Sequence, residues 1–432
     1  MTFIDSACAI FEHAGYRVLA DPWLSNGAFE GSWYHFPVVK TKTHDVEDVN
    51  ALYISHVHPD HFDPSTLRSF RRDLPVIVLD YGKNYLHRLL RNEGFERLVA
   101  IPDQQSATLG PFRLTAYKPF ATDVFHDSKI GNVIDSALVL EADGYSIFNG
   151  NDNNPTLEAA QYLRQRHGQF TAALLKYNAA SPYPACFMHL NEQRRLAEAD
   201  RIRQRNLDYL VAVCDVLKPA YAMPFAGNFV LAGAQWRKNR FLGTTTWDDA
   251  AQHVEHERPG QKTLVLREGQ TFDFTTESAD GAYARVDAAE QQRYIEENLK
   301  DVRYPYESQT FSTADAQWLR SALPVARENL WRVQQQFGFK MDYNVYIRAG
   351  DDFFRFSLAD DGADFVRPAS GFTRPYLTAD MDPRLLLNIV RRDAHWNNAE
   401  IGCHIDFFRD PDVYHPDLHV MLSFLHVPVS AA

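Results

Sequence analysis

The 432 residues are 45% hydrophobic and 13% aromatic, values of a well-packed globular protein whose length suggests two or three domains. Its 44 Lys and Arg against 56 Asp and Glu give a formal charge of −12, which argues against a nonspecific binder of nucleic acid or anionic membrane. Cys8, Cys186, Cys214 and Cys403 are scattered, so neither a disulfide framework nor a zinc knuckle is indicated; with no signal-like leader and no apolar run near ~18 residues, a cytoplasmic protein without a membrane span is expected.

Cys8 to Glu12 and Tyr16 to Ala20 read as a hairpin turned by His13-Ala14-Gly15. Asp21-Pro22 ends its second strand, and Asp21 reads either as an acceptor supporting a metal ligand or as a turn former. Ser25 to Pro37 has no periodicity; it is a loop placed to lie over a site, with Trp23 to His35 shaping a pocket.

Ala51 to Leu67, ALYISHVHPDHFDPSTL, follows as a short apolar strand opening into a polar loop. Alternate side chains of an extended segment point the same way, so His56 and His58 reach one ion while Asp60 and His61, at the turn beyond, reach a second. Three imidazoles and a carboxylate within six residues make an N/O-rich site suited to Zn or Fe. The alternative is a solvated His-rich loop, a poorer fit to H-x-H-x-D-H directly after an apolar strand.

A helix at Thr66 to Arg71, a strand at Pro75 to Leu79, a helix at Tyr85 to Glu93 and a strand at Leu98 to Ile101 alternate as in a layered α/β architecture. Phe112 to Pro119 is a strand leading into a polar loop, where His126 reads as a third ligand for the first metal or as an exposed loop histidine. Asp135 to Ala142 and Tyr145 to Phe148 form a hairpin with Asp143-Gly144 as its turn, and it delivers Asp152. A carboxylate there bridges two cations, or else caps the helix from Thr156 to Gln165. Ala172 to Leu175 is a strand, and Leu190 to Leu217 is a long amphipathic helix whose Arg194, Arg195, Arg201, Arg203 and Arg205 read as a solvated face. The cluster Gln235 to Arg240 is a candidate anion contact, with a plain surface patch favoured.

Short strands after Pro259 close a first unit, residues 1–278, which carries the metal loop. Residues 279–432 read as an α+β domain with faint similarity to sterol-carrier-like folds: helices at Asp287 to Leu299, Thr313 to Phe337 and Pro383 to Arg392, strands at Asn344 to Ile347 and Phe353 to Leu358, and His395 to His404 opening the last strands. Its His395, Glu400 and His404 are more economically structural than metal-directed.

With Asp152, the H-x-H-x-D-H run resembles the metallo-β-lactamase superfamily, which implies an αβ/βα four-layer sandwich with a dinuclear site. More narrowly, DPWLSNGAF (Asp21 to Phe29), ISHVHPDHFDPSTL (Ile54 to Leu67), Asp135 to Asp152, PFAGNFV (Pro224 to Val230) and the ending from Trp396 to Tyr414 are similar to the CMP-N-acetylneuraminate hydroxylase family. Two departures stand out. The paired Cys and His of a Rieske segment are absent from this sequence. Hydrolytic members usually place a late histidine on the second metal, where Phe225 stands here.

The expected function is an oxygenase with two irons that hydroxylates a small anionic metabolite, such as a sugar nucleotide or an N-acyl or amino compound. His56, His58, Asp60, His61, His126 and Asp152 are the metal ligands, and Asp60 and Asp152 the residues assigned to catalysis. Ser55, Asn151 and Asn153 line the pocket, and an external ferredoxin or reductase supplies electrons. The alternative is a dinuclear zinc hydrolase of a phosphoester, lactone or amide, in which the metals acidify a bound water. A metal-stabilised binding protein is a third reading. A homodimer is compatible with the sequence; nucleic acid and membrane are not expected partners.

Overall fold

In a computed structural model describing residues 1–81, 85–121, 135–367 and 371–428, two sheets stack face to face and a third forms a separate layer. The first sheet runs in chain order: β1 (Thr2–Asp5), β2 (Cys8–His13), β3 (Tyr16–Ala20), β4 (Ala51–Tyr53), β5 (Val76–Asp80) and β6 (Leu98–Pro102). It begins antiparallel and becomes parallel from β3 onward. Strands buried on both faces need apolar residues at successive positions, and β4 and β5 have them. Ala51, Tyr53, Ile77 and Leu79 face the second sheet; Leu52, Ile54, Val76 and Val78 face an outer layer that includes α1 (Tyr85–Asn92) through Leu86 and Leu90.

The second sheet has the order β13-β12-β11-β10-β9-β8-β7. Its strands are β7 (Ser106–Leu109), β8 (Phe112–Tyr117), β9 (Ala137–Ala142), β10 (Tyr145–Asn149), β11 (Ala172–Lys176), β12 (Tyr221–Phe225) and β13 (Lys262–Thr263). Its outer face is covered by α2 (Leu157–His167), α3 (Glu192–Leu217) and α4 (Trp247–Glu257), which bury Leu163, Leu210, Val213 and Val254. Helix, sheet, sheet, helix is the αβ/βα sandwich. Thr66 to Arg71 is corrected to a shorter helix, Pro64–Leu67, because the Asp63 side chain caps it from Ser65 N and Pro64 occupies the first turn.

Toward the C-terminus, β14 (Asn344–Ala349), β15 (Asp352–Ser357), β16 (Ala363–Val366), β17 (Tyr376–Asp380) and β18 (Asp406–Asp410) form a sheet ordered β16-β15-β14-β17-β18. It packs against α5 (Thr313–Phe337) and α6 (Pro383–Arg391). Residues 395–404 do not open strands. Trp396–Ile401 is a helix, α7, because Trp396 and Ala399, three apart, must face one core together. That core also takes in Trp23, Phe29, Trp33, Phe187 and Leu231, so loops of the sandwich and the C-terminal sheet share one hydrophobic interior. Trp33 stacks on Phe229 with ring centroids 3.4 Å apart. No helix among the described residues is long and apolar enough to cross a membrane.

Candidate metal centre

The centre lies where the two sheets end together. Past the carboxyl end of β4 the chain carries Ser55 to His61; past the carboxyl end of β10 it carries Asn151 and Asp152. A buried network fastens the sheets at this point. Tyr53 Oη lies 2.9 Å from Ser136 Oγ, Ser136 Oγ donates to Ser55 O at 2.8 Å, and Asn151 Nδ2 donates to Ser136 O at 2.9 Å. Asp21 and Asn151 adopt left-handed backbone angles (φ 40° and 38°), an uncommon conformation stored at a site rather than in a plain turn.

The partners of each imidazole fix which ring nitrogen is bare. His61 Nδ1 is 2.9 Å from Asp21 Oδ2 and donates there, which leaves Nε2 facing Asp60 at 3.4 Å and Asp152 at 3.8 Å. Asp21 is itself held by the Ser55 N–H at 2.7 Å. His56 Nδ1 sits 2.9 Å from Ser55 Oγ, and His58 Nε2 sits 3.0 Å from Asn397 Oδ1. The remaining nitrogens, His56 Nε2 and His58 Nδ1, lie 2.9 Å apart. Two lone pairs at that distance repel unless a proton or a cation stands between them.

Carboxylates complete two groups. The ligand atoms of His56, His58 and Asp135 lie within 4.8 Å of one another, as do those of His56, His61 and Asp152. Asp60 Oδ1, His61 Nε2, Asp135 Oδ1 and Asp152 Oδ1 are buried without a hydrogen-bond partner, a costly arrangement that cations would relieve. The donors are nitrogen and oxygen only, as suits Fe, Zn or Mn. The residues therefore fit a dinuclear metal site.

The electrostatics have the same character. Burial, reinforced by His61, His58 and Lys176, holds the His56 imidazole well below its ordinary range. Burial opposes charge on His61 too, but Asp60 and Asp21 outweigh it and raise that imidazole well above. Burial raises the Asp135 carboxyl. Asp152, equally buried, is lowered because Lys176, His61 and His58 outweigh the burial.

His56, His58, Asp60, His61 and Asp152 come together as a cluster, while His126 lies outside the described residues. Asp135 was not expected. Its signal was the hairpin register: Leu138 pairs with Asn149, and Asp135 and Asp152 each lie three residues beyond that pair, opposite one another. Lys176, whose Nζ is 3.5 Å from Asp152 Oδ2, and Asn397 were also missed. Asn151 holds backbone through Ser136 O, and Asn153, which lines the cavity beside Asp135 and Asp152, holds Phe120 N and Lys118 O. Thr156, not Asp152, caps α2.

Other residues singled out earlier are structural. His404 hydrogen-bonds Phe29 O and Tyr306 Oη, and Glu400 pairs with His419 and Trp396. In the basic cluster Lys238 is held by Cys403 O and Asp406, Arg240 pairs with Glu192, and Arg237 lies over the Trp236 ring. Trp23, Ala28, Phe29 and Trp33 of the Trp23 to His35 loop are buried in the shared core, and Phe225 lies in the sandwich core. Of that loop, Glu30 reaches a cavity of about 750 Å³ beside His58, together with Arg392, His395 and Asn397. Burial lowers the His395 imidazole to about 4 and raises the Glu30 carboxyl.

Residues 16–210 match the model of the beta-lactamase superfamily domain. They form a domain of that superfamily. The chain is 32% identical over 232 residues to a Rieske 2Fe-2S iron-sulfur protein, so named, of Mycolicibacterium smegmatis; the match covers 52% of this chain and 43% of the relative. It is 22% identical over 442 residues to cytidine monophosphate-N-acetylneuraminic acid hydroxylase of Pongo pygmaeus, covering 96% of this chain and 71% of that protein. The chain thus spans about half the length of the first curated relatives it matches. In structure, 62% of it is similar to CmlA, a diiron beta-hydroxylase from Streptomyces venezuelae, with 17% identity, a TM-score of 0.42 and 52% of CmlA covered. The isothiocyanate hydrolase from Delia radicum gut bacteria is similar over the same share, with 16% identity, a TM-score of 0.46 and 96% of that chain covered.

Proposed function

We propose that this chain is an oxygenase with two irons that hydroxylates a small anionic metabolite. The observation that supports this best is the group His56, His58 and Asp135, because two imidazoles and one carboxylate are a donor set that non-haem iron oxygenases use. The hydroxylase name of the Pongo pygmaeus relative, matched along 96% of this chain, supports the same reaction class and makes a sugar nucleotide a candidate substrate. Asp60, His61 and Asp152 would hold the second ion. Bound iron would supply the one-electron chemistry that dioxygen requires.

The rest falls to the protein. Asp21 and Ser55 fix the tautomers of His61 and His56, Asn397 fixes His58, and the Tyr53, Ser136 and Asn151 network keeps the two halves of the ligand set in register. An external ferredoxin or reductase would deliver the electrons. The test is oxygen consumption by anaerobically purified, iron-loaded protein given a chemical reductant and sugar nucleotides. Substrate-stimulated uptake with a hydroxylated product supports the proposal. Protein that carries zinc and cleaves esters or lactones without oxygen would replace it with the hydrolase reading.

A further inference from the structure

We infer that the cavity on the Asp135 and Asp152 side of the centre is an anion-binding site, in which Lys176 and Arg205 take the phosphate or carboxylate group of the substrate; as a substrate site it rests on the function proposed above. The cavity, about 340 Å³, is of the size that small ligands occupy and is lined by Asp135, Asp152, Lys176, Arg205 and Asn206. Its two acids are the proposed ligands, whose charge bound cations would neutralise. Two cations then face the space with no other acid among its described lining residues, in a chain of net charge −12.

Each cation is available. Lys176 ends β11, and Asn154 clasps its backbone on both sides: Lys176 N donates to Asn154 Oδ1 and Asn154 Nδ2 donates to Lys176 O, both at 3.2 Å. Its one carboxylate partner among the described residues is Asp152 at 3.5 Å, so a cation on Asp152 leaves the ammonium free to pair elsewhere. Arg205 breaks the pattern of α3, where Arg201 pairs with Glu198 at 2.7 Å and Arg203 with Asp200 at 2.8 Å. Among the described residues Arg205 has neither an ion pair nor a hydrogen bond, and its guanidinium suits a bidentate anion. Beside it, Asn206 Nδ2 is buried and lacks an acceptor.

The test is calorimetric titration of inorganic phosphate, and separately of succinate, into the metal-loaded full chain. At least one of the two is expected to bind at one site, phosphate indicating a phosphate-bearing substrate and succinate a carboxylate. Arg205→Met and Lys176→Met should each weaken that binding about tenfold or more, while Arg205→Lys restores part of it and Arg201→Met, the same charge change outside the cavity, leaves it unaltered. Metal content should not move in Arg205→Met. Failure of both anions to bind, or equal affinity in Arg205→Met and Arg201→Met, overturns the inference. Zinc in place of iron, with the anion data as expected, would sink the oxygenase reading and leave this site standing.

Discussion

At the scale of single residues, the site is a problem in lone pairs. Each imidazole is pinned by a hydrogen bond at one nitrogen so that the other is bare, and such outer partners are typically worth ~10–100-fold in metal affinity. Asn397→Ala is therefore expected to weaken metal binding by about that factor through His58, with Asn397→Asp restoring it; a metal titration against a competing chelator reads both. Asp135→Ala should remove a ligand outright and lower the metal stoichiometry of purified protein, whereas unaltered stoichiometry would show Asp135 to be a bystander. The H-x-H-x-D-H run was legible because its ligands are neighbours in sequence. Asp135 was obscured because its role depends on the strand it opposes, and Asn397 and Lys176 because nothing local links them to His58 or Asp152.

Among elements, the strands of the sandwich were readable from their apolar runs and the β9–β10 hairpin from Asp143-Gly144. Segment 395–404 was misread because the three-residue spacing of buried Trp396 and Ala399 is too short a pattern to signal a helix until a shared core reveals it. Gly402, just past α7, is where this helix meets the sandwich: a Cβ there would lie 2.6 Å from Phe29 O and 2.8 Å from Ser32 Oγ. Gly402→Ala is expected to destabilise by about 1–3 kcal/mol, read as a lowered urea midpoint. An unchanged midpoint would mean that the loop at 28–34 yields freely.

Taken as a whole molecule, the sandwich and the C-terminal sheet are coupled through one core and through His404, which bonds Phe29 O from one side and Tyr306 Oη from the other. Burial lowers this imidazole to about 4, against about 6.5 in an unfolded chain. Between those values the unfolded chain binds a proton that the folded one refuses, so stability falls as pH drops through that window. About 2 kcal/mol should be lost between pH 7 and pH 5, and His404→Gln should lose correspondingly less; identical pH profiles would contradict the assignment. A layered α/β architecture was foreseeable from the chain's alternation of strand and helix, and the four-layer sandwich from the resemblance carried by the H-x-H-x-D-H run, but this shared interior was not, since a domain boundary drawn on composition carries no information about which loops cross it.

The central claim is that the two ligand groups hold metal ions, and elemental analysis of anaerobically purified protein beside its His56→Ala and Asp152→Ala variants tests it most directly. The account predicts about two irons per chain in the unaltered protein and a marked loss in each variant. Protein that holds no stoichiometric metal even after reconstitution, or variants that retain the full complement, would contradict it.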